Sequence, residues 1–227
     1  MSLKNRDRVS KGYIVDEMHR YNILLESREI FLHGYIDSNE EDPGVEYRMS
    51  NNFLKNIKLL EHMDSSKPIT VHQHSIGGEW SEGMMMYDAI KLCKAPVVFV
   101  CHGIAASMGS IIPQSADLRI TMPNCWWLIH DGTTAVSGHT IRQAKSWHEW
   151  EGKLESQMME IYSTVCMESD FFEDKSIIQV KNYIKKQLDK KEDWWMSGEE
   201  AVERGFADAI FGSEDYEDLE KIKSHVY

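Results

Sequence analysis

The chain is short of positive charge, of paired cysteines and of long apolar runs, and each shortage removes a class of function. Lysine and arginine number 25 against 37 acidic residues, for a formal net charge of -12. A phosphate-backbone partner needs clustered cations to release counterions, so nucleic acid is excluded as the expected ligand. The four cysteines, Cys93, Cys101, Cys125 and Cys166, contain no C-x-x-C pair. They read as buried thiols in a reducing compartment, and no disulfide framework is expected. No stretch approaches the length of a membrane span, and Met1 to Arg8 has no apolar core of a leader, which together imply a soluble, cytoplasmic protein. The phosphate fingerprints G-x-G-x-x-G and G-x-x-x-x-G-K-[ST] are missing, which argues against a nucleotide site and gives no reason to expect a cofactor. Internal repeats and low-complexity linkers are missing too.

What the 227 residues do provide is enough chain for one sizeable α/β domain. Residues 1–25 are polar and weakly patterned and read as an arm; 26–212 hold the domain; 213–227 form an acidic tail, a surface helix without chemistry of its own. A first strand is expected over Arg28–Ile36, closed by a loop rich in turn formers at 37–44. Met49, Phe53, Ile57 and Leu60 recur at helical spacing. A second strand, Ile69–His74, runs into Ser75-Ile76-Gly77-Gly78, and a helix from about Trp80 to Lys94 leads to the apolar strand Val97–Cys101. Such alternation predicts a parallel sheet with right-handed crossovers, and puts both small-residue turns at the carboxyl ends of adjacent strands, the edge where α/β sheets place their sites.

Beyond these, Pro113 should cut short the helix after residue 107. Strands are expected at Leu118–Thr121 and Cys125–Ile129, the second delivering His130. Residues 131–139 are a polar loop or extra hairpin. From Ile141 to Val165 apolar residues step by three or four, giving a helix apolar on one face for about 40 Å. One small sheet cannot cover that length, which suggests a partner subunit. Glu168–Lys191 reads as charged and helical, and Asp193 falls in the turn before a helix whose capping box is Ser197 and Glu200.

The chemistry centres on Ala105-Ala106-Ser107-Met108-Gly109, which approaches the nucleophile-elbow pattern but has alanine at the first glycine. By itself Ser107 reads as a helix cap or turn residue rather than as a nucleophile. A serine needs a base and a group that orients the base, and His130 and Asp193 stand at element ends where such groups are carried. Among ten histidines and 37 acids, spacing alone does not select them; taken singly, His130 reads as a backbone-bonded strand-end residue and Asp193 as a turn or dipole-complementing acid. Gly77-Gly78 would let a backbone approach a substrate closely, and the amides of Gly78 and Met108 are candidates for an oxyanion hole. His72 and His74 share a strand face; hydrogen bonding is their expected role, since no third metal ligand lies at a useful spacing. Met84-Met85-Met86 reads as soft packing on a core helix, with a share in lining an apolar pocket.

Taken jointly, Ser75-Ile76-Gly77-Gly78, Gly83-Met84 through Tyr87-Asp88, residues 105–109, Pro123-Asn124 through Ile129-His130, and Asp193 through Ser197, Glu200-Ala201 and Gly205 resemble the proteolytic subunit of the ATP-dependent Clp protease. The resemblance runs in family order over roughly residues 27–210. It implies a fold like that of the crotonases, built of repeated ββα units with a protruding handle helix at about 140–167. It also implies a serine endopeptidase in which Ser107 is the nucleophile, His130 the base and acid, Asp193 the orienting residue, and Gly78 and Met108 the oxyanion donors. Subunits of that family stack as two seven-membered rings around a chamber, with the inter-ring strand, here 131–139, pairing with the polypeptide substrate. An AAA+ unfoldase feeds the chamber and is the only user of ATP. Ile76 stands where proline is usual, and the segment before Asp193 is longer than usual, marking a divergent member. Two alternatives remain at this point: a crotonase-like acyl-CoA enzyme with carboxylate acid and base, and an inactive scaffold subunit.

Overall fold

The computed structural model describes residues 13–33, 43–133 and 140–227. The expected loop at 37–44 and inter-ring strand at 131–139 therefore fall largely outside the described residues. In chain order come α1 (13–21), β1 (Ile23–Leu24), β2 (Glu29–Leu32), α2 (Tyr47–Met63), β3 (Ile69–Ser75) and α3 (Trp80–Lys91). Next are β4 (Val97–Ala106), α4 (Met108–Ile111), a 3-10 turn (Ile112–Ser115), β5 (Leu118–Thr121) and β6 (Trp126–Ile129). The rest are α5 (Ile141–Cys166), α6 (Ile177–Lys191), β7 (Trp194–Ser197), α7 (Gly198–Glu203), β8 (Ala209–Ile210) and α8 (Leu219–Ser224).

The strands form one sheet in the order β1-β2-β3-β4-β5-β8, with β6 branching from β4 and carrying β7. Pairings from β2 to β8 and from β4 to β6 are parallel; β1–β2 and β6–β7 are antiparallel. The chain is thus a mixed α/β domain around a central sheet. β4 is its axis. Residues 98–101 pair with β5, whereas 104–106 pair with β6, and Gly103, at φ 56°, sits where the strand changes partners.

Residues 97–101 of β4 are buried on both faces, so that half of the strand is a continuous apolar run rather than an alternating one. Val97, Phe99 and Cys101 enter the main core with Phe53, Ile57 and Met86; Val98 and Val100 face a smaller cluster closed by Ile120, Ala209 and Ile222. The acidic tail supplies Ile222 from α8, so it covers the outer face of the sheet. Residues 23–24, read as the end of a polar arm, pair instead with β2, and Ile23 is buried.

Pro113 ends α4 after one turn, as its missing amide requires. The expected continuous helix over 168–191 is broken: a 3-10 turn at Asp170–Phe172 precedes α6, which starts on a Ser176–Gln179 capping box. Asp193 lies in a bend as expected, but a strand, β7, intervenes between it and the helix capped by Ser197. Trp194 and Met196 point into the core while Trp195 faces out, a period-2 pattern too short to stand out beside the Ser197 box that follows. All four cysteines are free, three of them buried. No helix among the described residues is long and apolar enough to cross a membrane.

Candidate active site

Sheet register alone brings three of the predicted residues to one edge. β4 and β6 run in parallel, Ala106 opposite Leu128, and the Ser107 amide donates to the Leu128 carbonyl at 3.0 Å. β6 and β7 run antiparallel with Ile129 opposite Trp194, so the next position of that ladder sets His130 opposite Asp193. Ser107, His130 and Asp193 therefore leave the ends of three neighbouring strands. His130 Nε2 lies 2.8 Å from Ser107 Oγ, within hydrogen-bond range. A serine donating to Nε2 puts the ring proton on Nδ1, the nitrogen that faces Asp193. That second link is longer: His130 Nδ1 to Asp193 Oδ1 is 3.6 Å, beyond a direct hydrogen bond, and the Asp193 side chain is 58% exposed. Asp193 follows Glu192, which closes α6 at φ 60°, so this acid is set by the helix end as well as by β7.

Ser107 sits at φ 54°, ψ -125°, a conformation costly for a residue with a Cβ. The strand enters, the single-turn helix leaves, and the side chain is thrown clear of the sheet between them. Space for this comes from Gly77: a Cβ there would lie 2.5 Å from the Ser107 Cβ, and φ is +98°. The Gly77-Gly78 turn is tied on one side to Val45, whose amide donates to the Gly77 carbonyl and whose carbonyl accepts from Glu79. Those two bonds leave the Gly78 amide out. Met108 is the first residue of α4, so its amide has no acceptor within the helix. Gly78 and Met108 line the same cleft as Ser107, which keeps both amides as candidates for an oxyanion site.

Four residues that support this edge carry no signal of their own in the sequence. Ser75 Oγ accepts from the Gly77 amide at 3.1 Å, and Gln73 Nε2 donates to the Gly109 carbonyl at 2.6 Å. Ser110 Oγ donates to the Ser107 carbonyl at 2.7 Å and is itself 2.7 Å from the Tyr162 hydroxyl on α5. Burial pushes the Tyr162 phenol up, so it stays protonated and available as a donor. Each lies in or beside an element the sequence predicts, but its bonding partner comes from another part of the chain or from a turn, so its role becomes visible once strands and helices are assembled.

A cleft of about 770 Å³ opens beside Ser107, His130 and Gly78, and runs along α5 past Leu154 and Met158. The remaining candidates lie elsewhere. His72 Nδ1 is 3.1 Å from His102 Nε2, its ring stacks on Phe31, and its other nitrogen is 3.4 Å from Glu29. His74 Nδ1 is 3.2 Å from the His102 carbonyl. These are hydrogen-bonding histidines on the sheet, and among the described residues no group of three or more His, Cys, Asp or Glu side chains is placed to hold a metal ion. Met86 is fully buried and Met84 packs against the core, with Gly83 leaving room for the Met108 side chain.

Comparison with known proteins follows the same line. A family model described as Clp protease matches residues 14–214. The ATP-dependent Clp protease proteolytic subunit of Deinococcus radiodurans is 27% identical over 207 residues, covering 87% of this chain and 90% of that protein. The subunit of the same name from Streptococcus pyogenes is 28% identical over 194 residues, covering 84% and 87%. Chloroplastic proteolytic subunit 3 of Arabidopsis thaliana is 32% identical over 159 residues, covering 63% of this chain and 48% of its own length.

Proposed function

The chain belongs to the Clp protease family, and from that premise we propose that it is a serine endopeptidase whose nucleophile is Ser107. The observation that carries the assignment is the 2.8 Å approach of Ser107 Oγ to His130 Nε2, made by residues 23 apart in sequence on a serine held at positive φ. A cap or turn serine needs neither. Neither does an acyl-CoA enzyme with a carboxylate pair.

In this reading a peptide lies in the cleft with its carbonyl carbon against Ser107. Oγ attacks as its proton passes to His130 Nε2, and the carbonyl oxygen, now an oxyanion, accepts from the amides of Gly78 and Met108. Imidazolium returns the proton to the departing amine and leaves an ester on Ser107. Water, deprotonated by the same imidazole, then releases the acid. Asp193 favours the Nδ1–H tautomer and offsets the positive ring through space. At 3.6 Å and largely exposed it does so weakly, and closure of that gap on assembly would strengthen it.

We further propose that the subunit works as part of stacked seven-membered rings fed by an AAA+ unfoldase, with α5 as the contact between rings. The amino-terminal half of α5 supports this: Ile141 is 90% exposed, and the buried residues of the helix begin only at Met158. The test is hydrolysis of an unstructured polypeptide by the wild-type protein and by Ser107→Ala. Cleavage should fall by roughly 10⁴-fold or more in the variant. Equal cleavage by the two proteins would remove Ser107 from the mechanism.

A further inference from the structure

The lining of the cleft beside Ser107 has a chemical asymmetry that the hydrolytic reading leaves unused. Four carboxylates reach it: Glu79, Asp131, Glu151 and Glu155. Among the described residues that line it there is no lysine or arginine. Glu79 follows Gly78 and Asp131 follows His130, so two of the acids stand one residue from the groups assigned to the chemistry. Glu151 and Glu155 are four apart on α5, interleaved with Leu154 and Met158 at helical spacing, so acids and apolar side chains share the face turned to the cleft. Lys185 reaches Glu155 at 3.7 Å from α6, and His148 reaches Glu151 at 3.8 Å, which leaves the group negative overall. Burial pushes the Asp131 carboxyl up, with further upward pressure from Glu155 and Asp189 against the opposing pull of Lys185. His130 opposes the shift as well, so burial is its leading cause and the neighbouring acids add to it.

The cleft carries a second, independent feature. Trp147 and Trp150 both line it, their rings 4.9 Å apart and tilted, and the two residues are 41% and 39% exposed. Indole faces are the best aromatic partners for an ammonium or guanidinium. Leu128, Ile111, Leu154 and Met158 line the same cleft, an apolar surface for aliphatic stems. Lysine and arginine have both parts, an apolar stem and a cationic head.

We propose that this cleft selects polypeptide stretches in which lysine or arginine stands beside apolar residues, and disfavours acidic stretches. The inference deepens the serine-peptidase reading and rests on it for the direction in which substrate lies, but the preference itself is a property of binding. It is therefore measured without turnover, on full-length Ser107→Ala, using fluorescein-tagged peptides of equal length that alternate leucine with either lysine or glutamate. The lysine peptide should bind about tenfold more tightly at low ionic strength, with the gap closing at roughly 0.5 M salt. Glu151→Gln combined with Glu155→Gln should cut the ratio by about fivefold. Equal affinities, a preference for the glutamate peptide, or a ratio unmoved by the double substitution would overturn the proposal. The same ratio taken as kcat/KM on the wild-type protein serves if Ser107→Ala does not fold. A fluorophosphonate separates the two ideas: no adduct on wild-type Ser107 with the lysine preference intact defeats the catalytic reading alone, whereas an adduct with equal binding defeats the preference alone.

Discussion

Ser107 and His130 meet within hydrogen-bond distance, whereas Asp193 stands back at 3.6 Å and is mostly exposed. The proposed triad is therefore unequal, and single substitutions should show it. His130→Ala should lower kcat by roughly 10⁴-fold or more. Asp193→Ala should cost closer to about 10²-fold, because an exposed carboxylate beyond bonding distance contributes little to holding the tautomer. Steady-state kinetics on the two variants would narrow this gap if Asp193 closes on the imidazole in the working protein. The histidines on the sheet give a second prediction. His72 is pushed down chiefly by burial, partly countered by Glu29, and His102 is pushed down by burial and by His72 and His74. A histidine depressed in the folded state takes up protons more readily when unfolded, so its contribution is intact at neutral pH and is lost as pH falls below the unfolded value of about 6.5. Denaturant midpoints should drop between about pH 6.5 and 5, and His102→Asn should flatten that slope; Glu29, His74 and Lys223 are the other charged or titratable groups that bear on the pair. An unchanged slope in His102→Asn would refute the assignment.

Elements, more than residues, decided how much the sequence revealed. The strands at 69–75, 118–121 and 126–129 and the first half of β4, 97–101, stand out as apolar or alternating runs near proline, glycine or asparagine, whereas 103–106, expected as a small-residue turn, continue β4 because 104–106 pair with β6. The site edge followed from them, since β3 and β4 are adjacent and parallel and their ends meet at Gly77 and Ser107. Missed were β1, β7 and β8, of two to four residues, whose strand character comes from the neighbour they pair with rather than from their own pattern. β7 matters most, because the register that sets Asp193 opposite His130 depends on it. Arg119 shows the same limit. It reads as a charged residue in a short strand, yet it is buried and binds Asp208 in a two-pronged pair, with Gln114 Oε1 at 2.8 Å and the Gly205 carbonyl at 3.1 Å completing its shell. This network joins β5, the 3-10 turn and the segment between α7 and β8. Asp208→Ala strands a buried guanidinium and should lower unfolding free energy by about 3 kcal/mol, seen as a shifted denaturant midpoint. A loss below about 1 kcal/mol would mean that water or Gln114 replaces the acid.

At the scale of the molecule, the sheet with α2, α3, α6 and the carboxyl half of α5 is a self-sufficient core, and α8 closes its outer face. The amino-terminal half of α5 is not part of it. If that half is the contact between rings, Ile141→Asp should reduce the assembly to smaller species on native mass spectrometry while leaving the circular dichroism spectrum unchanged. The residue is 90% exposed, and an acid in the first helical turn favours the helix, so a folding defect is not the expected result. Persistence of the full assembly would place the contact elsewhere. Underneath all of this lies the claim that Ser107 is a nucleophile activated by His130. Mapping the adduct formed with a fluorophosphonate, by peptide mass spectrometry on the wild-type protein and on His130→Ala, tests it most directly. One adduct, on Ser107, with its rate of formation reduced at least about 10²-fold in the variant, is the predicted result; an adduct on any other serine, or an equal rate in the two proteins, would contradict it.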